Sequence, residues 1–370
     1  MDKRILCIVS VLDAGGAETF LMKIFRCIAS KGYKLDFIVS LRGGVYEQEV
    51  SDLGGKIYFV ETRTKHPIKA YLQIKNIVQQ NKYRNVLKLG TDPNAVFDII
   101  AARAGGAECV AVRACNAVTG IKWYKRAVNR GLRVMLNLFS TRRIAPSKLA
   151  AEYMFGRNRK VLDQVVYLNN GLDIDTYSYS SELRNQIRDQ YDLRDRFVMG
   201  HIGRFNEQKN HAFLLSVFAK VVEKEPDARL LLVGEGKLED EIKSKVHELK
   251  IEDKVVFAGV QSNVRAYLSA MDLFVFPSLF EGMPNTVIEA QANGLSCIVS
   301  DTITKEANIT GHVFYLGLED TFDFWVDNVL QHRNAIRFDA HNILLEQGYD
   351  ILSVSRRFID LFEEHGDKDD

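Results

Sequence analysis

Leu273-Phe274-Val275-Phe276-Pro277, followed by Phe280-Glu281-Gly282-Met283-Pro284-Asn285-Thr286-Val287-Ile288-Glu289 and Ala290-Gln291-Ala292-Asn293-Gly294, reads as strand, loop and helix. The first part is a short apolar run closed by proline. Gly282 lacks a Cβ and lets a ligand approach the backbone. Pro284 suits a first helical turn, Val287, Ile288 and Ala290 mark a buried stripe, and Gly294 is a stop signal. Glu281 then stands in a loop at the carboxyl end of a strand, with Glu289 about a turn and a half into the helix. A helix N-terminus between them offers backbone N–H groups to an anion. Carboxylates accept hydrogen bonds from hydroxyls. Sugar hydroxyls at one end and phosphate in the middle would fit such a stretch. Two glutamates at this spacing are also common on solvated helix faces, so the rest of the chain must decide.

At 370 residues the chain has room for two domains of about 150 residues or more. It is 46% hydrophobic and 26% charged, an ordinary globular composition. A net charge of +1 predicts no general affinity for nucleic acid. Cys7, Cys27, Cys109, Cys115 and Cys297 form no CxxC pair, the pattern of reduced thiols in a cytoplasmic protein. No apolar run approaches the ~18 residues of a membrane span. Lys3-Arg4 before Ile5–Leu12 looks superficially like an export signal. Gly15-Gly16 and the helical pattern Phe20, Leu21, Ile24, Phe25, Ile28 make strand, turn and helix the better description.

That unit repeats. Apolar runs at 5–11, 35–39, 57–60, 86–89, 109–112 and 165–168 alternate with helical patterns at 45–53, 68–80 and 95–104. Such alternation predicts a parallel sheet covered on both faces, with ligands at the carboxyl ends of its strands. Gly15-Gly16-Ala17-Glu18 lies at the first of these ends and is not a dinucleotide fingerprint. Asn169-Asn170-Gly171-Leu172-Asp173 closes a first domain, 1–173, and the polar stretch 175–196 reads as a connector. The alternation then restarts, with strands at 197–202, 229–233, 255–257, 273–276, 297–300 and 313–316. Helices are expected at 211–222, 238–249, 264–270 and 284–293, and closing helices at 319–330, 336–345 and 354–362. The fold class is therefore α/β, with two doubly wound domains: 1–173, 174–349 and a terminal segment 350–370.

Two further stretches carry charge with a purpose. After the first strand of the second domain come Gly203-Arg204-Phe205-Asn206-Glu207-Gln208-Lys209-Asn210. Arg204 offers a planar fork and Lys209 a point charge, a pair suited to a diphosphate, although two bases in a surface turn are common. Gly234-Glu235-Gly236 receives no specific role. From Cys109 to Ala151 there is no acidic residue and there are nine basic ones. Within it Tyr124, Val128, Leu132, Met135 and Phe139 form one helical stripe, and Lys122, Arg126, Arg130 and Arg133, with Lys125 beside them, supply charge. The basic amphipathic pattern points to an anionic membrane surface, against the plainer reading of a solvated face on a core helix.

Together these residues resemble the family-four retaining glycosyltransferases of the GT-B fold, in which two Rossmann-like domains face each other across a cleft. Within that family the chain is most similar to transferases of bacterial exopolysaccharide and capsule assembly. The resemblance rests on Gly15–Glu18, Ala145-Pro146-Ser147, Asn170–Asp173, Gly203-Arg204 with Lys209-Asn210, Val256–Gly259, and Glu281 through Gly294, and covers both domains. It implies catalytic roles for Arg204, Lys209 and Glu281. Arg204 and Lys209 would hold the donor diphosphate and Glu281 the donor sugar. Asn285 and Thr286 would bind phosphate through their backbone, Glu289 the ribose, and Val260 would lie at the nucleobase. Gly15, Gly16, Gly282, Met283 and Pro284 would complete the donor site, and the helix at 354–362 would return to the first domain. Similar enzymes carry a histidine near the end of the strand that here reads Val110-Ala111-Val112-Arg113-Ala114-Cys115-Asn116. This chain has none, leaving Arg113 and Asn116 as acceptor-side candidates. The implied reaction moves a hexose or N-acetylhexosamine from a UDP-sugar to a lipid-linked saccharide, without metal or other cofactor, at the inner face of the cell membrane. A nucleotide-sugar 2-epimerase of the same fold and a non-catalytic glycan-binding protein are the competing classes. The first needs no acceptor, and the second releases no nucleotide.

Overall fold

The computed structural model describes residues 3–13, 15–115 and 123–363. The chain divides into two compact units, Met1–Leu172 with Gly348–Asp370, and Asp173–Gln347.

In the first unit the order is β1 (Arg4–Ile8), α1 (Gly16–Ala29), β2 (Lys34–Val39), α2 (Glu47–Asp52), β3 (Ile57–Phe59), α3 (Pro67–Asn81), β4 (Asn85–Gly90), α4 (Val96–Ala104) and β5 (Cys109–Ala114). It continues with α5 (Trp123–Phe139), β6 (Arg142–Ala145), α6 (Lys148–Phe155), α7 (Arg159–Leu162) and β7 (Val165–Tyr167). The sheet runs β3-β2-β1-β4-β5-β6-β7 with parallel pairing throughout. Successive strand residues face opposite sides. Ile5, Cys7, Leu35, Phe37 and Leu87 therefore enter one core, while Leu6, Ile8, Ile38, Val86 and Val110 enter the other. Burial on both faces is why these strands read as continuous apolar runs.

The second unit contains α8 (Ile174–Tyr177), α9 (Ser181–Gln190), β8 (Val198–Ile202), α10 (His211–Lys224), β9 (Arg229–Val233), α11 (Glu239–Glu248), β10 (Val255–Phe257) and α12 (Val264–Ala270). It ends with β11 (Leu273–Phe276), α13 (Asn285–Ala292), β12 (Cys297–Ser300), β13 (Val313–Leu316), α14 (Phe322–Gln331) and α15 (His341–Glu346). Its parallel sheet has the order β10-β9-β8-β11-β12-β13. The order reverses between β8 and β11, and a crevice at such a switch point is where α/β sheets bind ligands.

The last helix, α16 (Ile351–Glu363), belongs to the first unit. Leu172 pairs with Asp350, and the amide of Ile351 donates to the Leu172 carbonyl at 3.0 Å. Val354 and Phe358 are fully buried, and the Phe358 ring meets Phe20 of α1 edge-on at 6.3 Å.

Several sequence expectations need correction. The stretch read as a connector folds into α8 and α9. Arg184 and Arg188 reach Asp272 at 2.6 and 2.7 Å and also donate to carbonyls at the end of α12. The polarity that suggested a linker is spent on caps to that helix. Strand β6 was hidden by its two arginines, Arg142 and Arg143. The helix expected over 336–345 is α15, because Arg337 lies in an extended approach and donates to Leu268, Ser269 and Met271 carbonyls. Helix α5 is turned from its expected setting. Leu132, Leu136 and Phe139 form its inner stripe, whereas Val128 and Met135 face solvent. Arg133, expected on the basic face, is half-buried and donates to the Tyr153 carbonyl at 2.7 and 2.9 Å.

Truncating Phe358 to alanine should destabilise the first unit by about 3–5 kcal/mol, as removal of a buried aromatic does. Urea unfolding followed by a probe in the first unit measures this. A loss below about 1 kcal/mol would mean that α16 is not integral to the core.

Candidate functional site

The site-bearing residues of the second unit come from the two loops that leave β8 and β11 on either side of the strand reversal. Asn206 opens the first loop's single 3₁₀ turn, its side chain accepting from the Lys209 amide at 3.2 Å. Asn210 adopts φ 55°, a left-handed setting that asparagine tolerates, and starts α10. The loops are stitched together by Leu279 N–H to Gln208 O at 2.8 Å, Gln208 Nε2 to Phe280 O at 2.9 Å and Asn210 Nδ2 to Pro277 O at 3.2 Å. Across this seam Lys209 Nζ donates to Glu281 Oε1 at 2.7 Å, with the side chains only 15% and 11% exposed. The ammonium also sits over the Phe276 ring, 4.4 Å from its centroid. Arg204 is exposed at the mouth of the same loop.

Downstream of Glu281, Gly282, Met283 and Pro284 are buried and Asn285 and Thr286 half-buried. Pro284 is the N-cap of α13 rather than part of its first turn, and no side chain caps the helix. Glu289 is buried on α13 at 8% exposure. Val260, just past β10, is exposed. The ends of β8, β9 and β10 are tied by Gly203 N–H to Val233 O and Gly234 N–H to Gly259 O.

Gly234 and Gly236, left without a role by sequence, make this closeness possible. Gly234 has φ +134°, and a Cβ there would lie 2.2 Å from the Gly203 carbonyl oxygen. A Cβ at Gly236 would lie 2.4 Å from the Phe205 carbonyl oxygen. Sequence reasoning also missed His201 and His211, both buried and set edge to face at 4.7 Å. Buried polar atoms without a hydrogen-bond partner include His201 Nε2, both ring nitrogens of His211, Ser278 Oγ and Thr286 Oγ1. All of them stand at or beside the reversal of strand order. Unpaired buried polar atoms carry a cost that calls for an explanation, and a polar ligand or water is an ordinary one. Burial pushes the His211 imidazole down to about 4, with Lys209 adding repulsion. His201 is held well below its ordinary range, first by burial and then by His211.

In the first unit, Gly15 is the N-cap of α1 and Gly16 its first residue. A Cβ on Gly15 would come 2.4 Å from Glu18 Oε2, so the glycine admits that carboxylate. Arg113 does not present its guanidinium to solvent. It is 2% exposed, stacks over Phe20 at 3.9 Å and donates to Asn170 Oδ1. Asn116 and Lys122 lie outside the described residues, and Lys125 is described only as a position on α5. Arg126 and Arg130 are exposed there, beside exposed Val128, Val134 and Leu138. Among the described residues no group of three His, Cys, Asp or Glu is arranged to hold a metal ion, and no helix is long and apolar enough to cross a membrane.

A cation–carboxylate bridge between two loops of the second sheet, in a chain of two parallel α/β units, marks the class. Residues 196–327 match the family model for glycosyl transferases group 1. The chain is 30% identical over 361 residues to EpsF of Bacillus subtilis (strain 168), assigned by name to the glycosyltransferases, with 94% of this chain and 93% of that one covered. The chain belongs to the group 1 glycosyltransferases and has the GT-B fold. It is also 24% identical over 311 residues to an N-acetylgalactosaminyltransferase of Campylobacter jejuni, covering 78% of each; that relative is named for a saccharide acceptor on diphospho-undecaprenol. Anabaena HepE, solved in complex with UDP-glucose, superimposes with a TM-score of 0.79 at 17% identity, over 98% of this chain and 99% of that one.

The two depressed histidines make a pH prediction. As pH falls from His211's ordinary 6.5 towards about 4, the unfolded chain takes up a proton that the folded unit refuses. The neutral ring's contribution is therefore complete above about pH 6.5 and lost as pH falls through about 4. Urea midpoints of the native chain should drop across this window more steeply than those of His211→Phe. Parallel curves would show that His211 is not held neutral by the fold.

Proposed function

We propose that the chain is a retaining glycosyltransferase that moves a hexose or N-acetylhexosamine from UDP to a hydroxyl of a lipid-linked saccharide in exopolysaccharide or capsule assembly. The observation that carries the donor side is the Lys209–Glu281 bridge at the strand reversal, with Arg204 on the same loop. Only one of the three N–H bonds of an ammonium is needed for Glu281, so Lys209 can also donate to a phosphate oxygen. The UDP-glucose bound by Anabaena HepE supports UDP as the nucleotide. The acceptor named for the Campylobacter relative supports a lipid diphosphate carrier.

In the proposed reaction the bond from the sugar's anomeric carbon to the β-phosphate oxygen breaks. A bond to the acceptor oxygen forms on the same face. The acceptor proton passes to the departing phosphate oxygen, so configuration is retained and no separate base is required. Negative charge grows on the leaving diphosphate, where Arg204 and Lys209 offset it without a bound metal. Glu281 accepts from a donor-sugar hydroxyl, and this contact strengthens as the ring gains positive character. The backbone at Gly282, Met283, Pro284, Asn285 and Thr286 would flank the phosphates, Glu289 would hold the ribose, and Val260 would lie against the base.

Arg204→Ala and Lys209→Ala should each lower kcat about a hundredfold, with EDTA present throughout. Glu289→Ala should act chiefly on the donor KM, and Glu281→Ala chiefly on kcat. Near-normal kcat in both cation variants, or activity restored only by a divalent ion, would overturn the donor assignment.

Helix α5 supports a second part of the proposal, attachment to an anionic membrane at the cytoplasmic side. Its exposed side combines Arg126 and Arg130 with Val128, Val134 and Leu138, which are 60%, 67% and 72% exposed. Apolar side chains beside arginines suit the headgroup boundary, each cation contributing about 1 kcal/mol near anionic lipid. The protein should pellet with anionic vesicles at low salt and much less with neutral ones. Replacing Lys122, Lys125, Arg126 and Arg130 by glutamine should abolish pelleting while leaving UDP binding intact. Equal partitioning to both vesicle types, or none, would return α5 to an ordinary solvated helix.

A further inference from the structure

The pairing of β8 with β11 stops early. It joins Leu273 to Met199 and Phe274 to Gly200, and goes no further. Where a third pair would fall, the Val275 carbonyl meets the His201 side chain, with Nδ1 at 2.9 Å. The imidazole thus takes the place of a ladder bond at the strand reversal. Nδ1 donates to that carbonyl, leaving Nε2 as the unprotonated nitrogen. The ring is completely buried, stacks on Phe276 at 5.3 Å and meets the edge of His211 at 4.7 Å. His211 in turn packs on Phe205 at 4.6 Å. Lys209 completes this group beside Phe276 and Gly203. Its ammonium rests over Phe276, and a Cβ built on Gly203 would lie 3.1 Å from Lys209 Cε and 3.2 Å from His201 Nε2. The charge that bears on both imidazoles is that of Lys209, itself paired with Glu281.

We propose that His201, backed by His211, is a positioning residue: a wedge that parts β8 from β11 and so sets where Lys209 and Glu281 meet. The inference rests on the donor-site reading above. The wedge explains two features that a plain strand core does not. A closed ladder would satisfy the Val275 carbonyl without a histidine. Two buried imidazoles leave His201 Nε2 and both nitrogens of His211 without a hydrogen-bond partner, so their presence calls for a purpose. Holding the strands apart has one, because the loops that carry Lys209 and Glu281 leave the sheet at the parted ends.

The test is a double-mutant cycle on the full chain. It follows UDP release from whichever of UDP-glucose, UDP-galactose and UDP-N-acetylglucosamine the native protein turns over. His201→Val, which suits a closed strand pair, should lower kcat about tenfold to a hundredfold, with a smaller effect on the donor KM. In the Lys209→Ala background it should cost almost nothing further, because a misplaced lysine and an absent one lose the same contact. His201→Asn, whose amide can still donate to the Val275 carbonyl, should recover most of the loss. Independent, multiplicative losses would overturn the proposal. If the valine variant does not fold, His211→Ala takes its place in the cycle with the same expectation. Near-normal turnover in Lys209→Ala alone would instead sink the donor-site reading. The wedge is then judged without turnover, by amide exchange at the carboxyl ends of β8 and β11. His201→Val should slow exchange there about tenfold as the ladder closes, and unchanged exchange would overturn the wedge.

Discussion

Lys209 and Glu281 meet at 2.7 Å where the second sheet reverses its strand order, and the proposed donor site is built around that contact. A cation and a carboxylate taken this far from water lose hydration that their attraction only partly returns. The contact persists because neither chain is free to move. Backbone and amide hydrogen bonds tie the loop after β8 to the loop after β11 at Gln208, Asn210, Leu279 and Phe280. The aromatic face of Phe276 beneath the ammonium adds attraction without competing for its hydrogens. The pair is thus a preorganised charge, and preorganisation is what makes a cation useful when a leaving group becomes negative.

The glycines serve the same end by subtraction. Gly234 and Gly236 contribute no side chain and let neighbouring loops approach to distances that any Cβ would forbid. The carboxyl ends of β8, β9 and β10 thereby close into a continuous rim. The histidines supply bulk where the rim must stay open. Both devices act on backbone position, and the side chains proposed to touch the donor take their places as a result.

Helix α5 shows how one amphipathic pattern can serve two surfaces. Its inner stripe is filled by Leu132, Leu136 and Phe139, and that requirement turns Arg133 inward to a carbonyl. Val134 and Leu138 are left outside with Arg126 and Arg130. A helix with this outer face has apolar surface to spare, which is the physical basis for its proposed contact with lipid.

Parallel strands buried on both faces leave a signature that survives without neighbours. Twelve apolar runs were legible in the sequence for that reason, as were the positions of Arg204, Lys209, Glu281 and Glu289 relative to strand ends. Local turn chemistry and apolar spacing are properties of adjacent residues. Whatever depended on distant partners was not legible. Strand β6 carries two arginines and reads as polar. The arginines of α9 looked like a linker's until Asp272, more than eighty residues away, accepted them. The periodicity of α5 allowed two inner faces, and only packing chose between them. His201 and His211 are ten residues apart and bracket the Gly203–Asn210 stretch, with no spacing that marks them as a pair. Their meeting, and the carbonyl of Val275 that one of them holds, exist only because β8 and β11 are neighbours in space. Sequence by itself determined every strand but β6 and which loops carry charge. Tertiary structure decided which charges meet, because burial and hydrogen bonding are set by partners that the chain brings together only on folding.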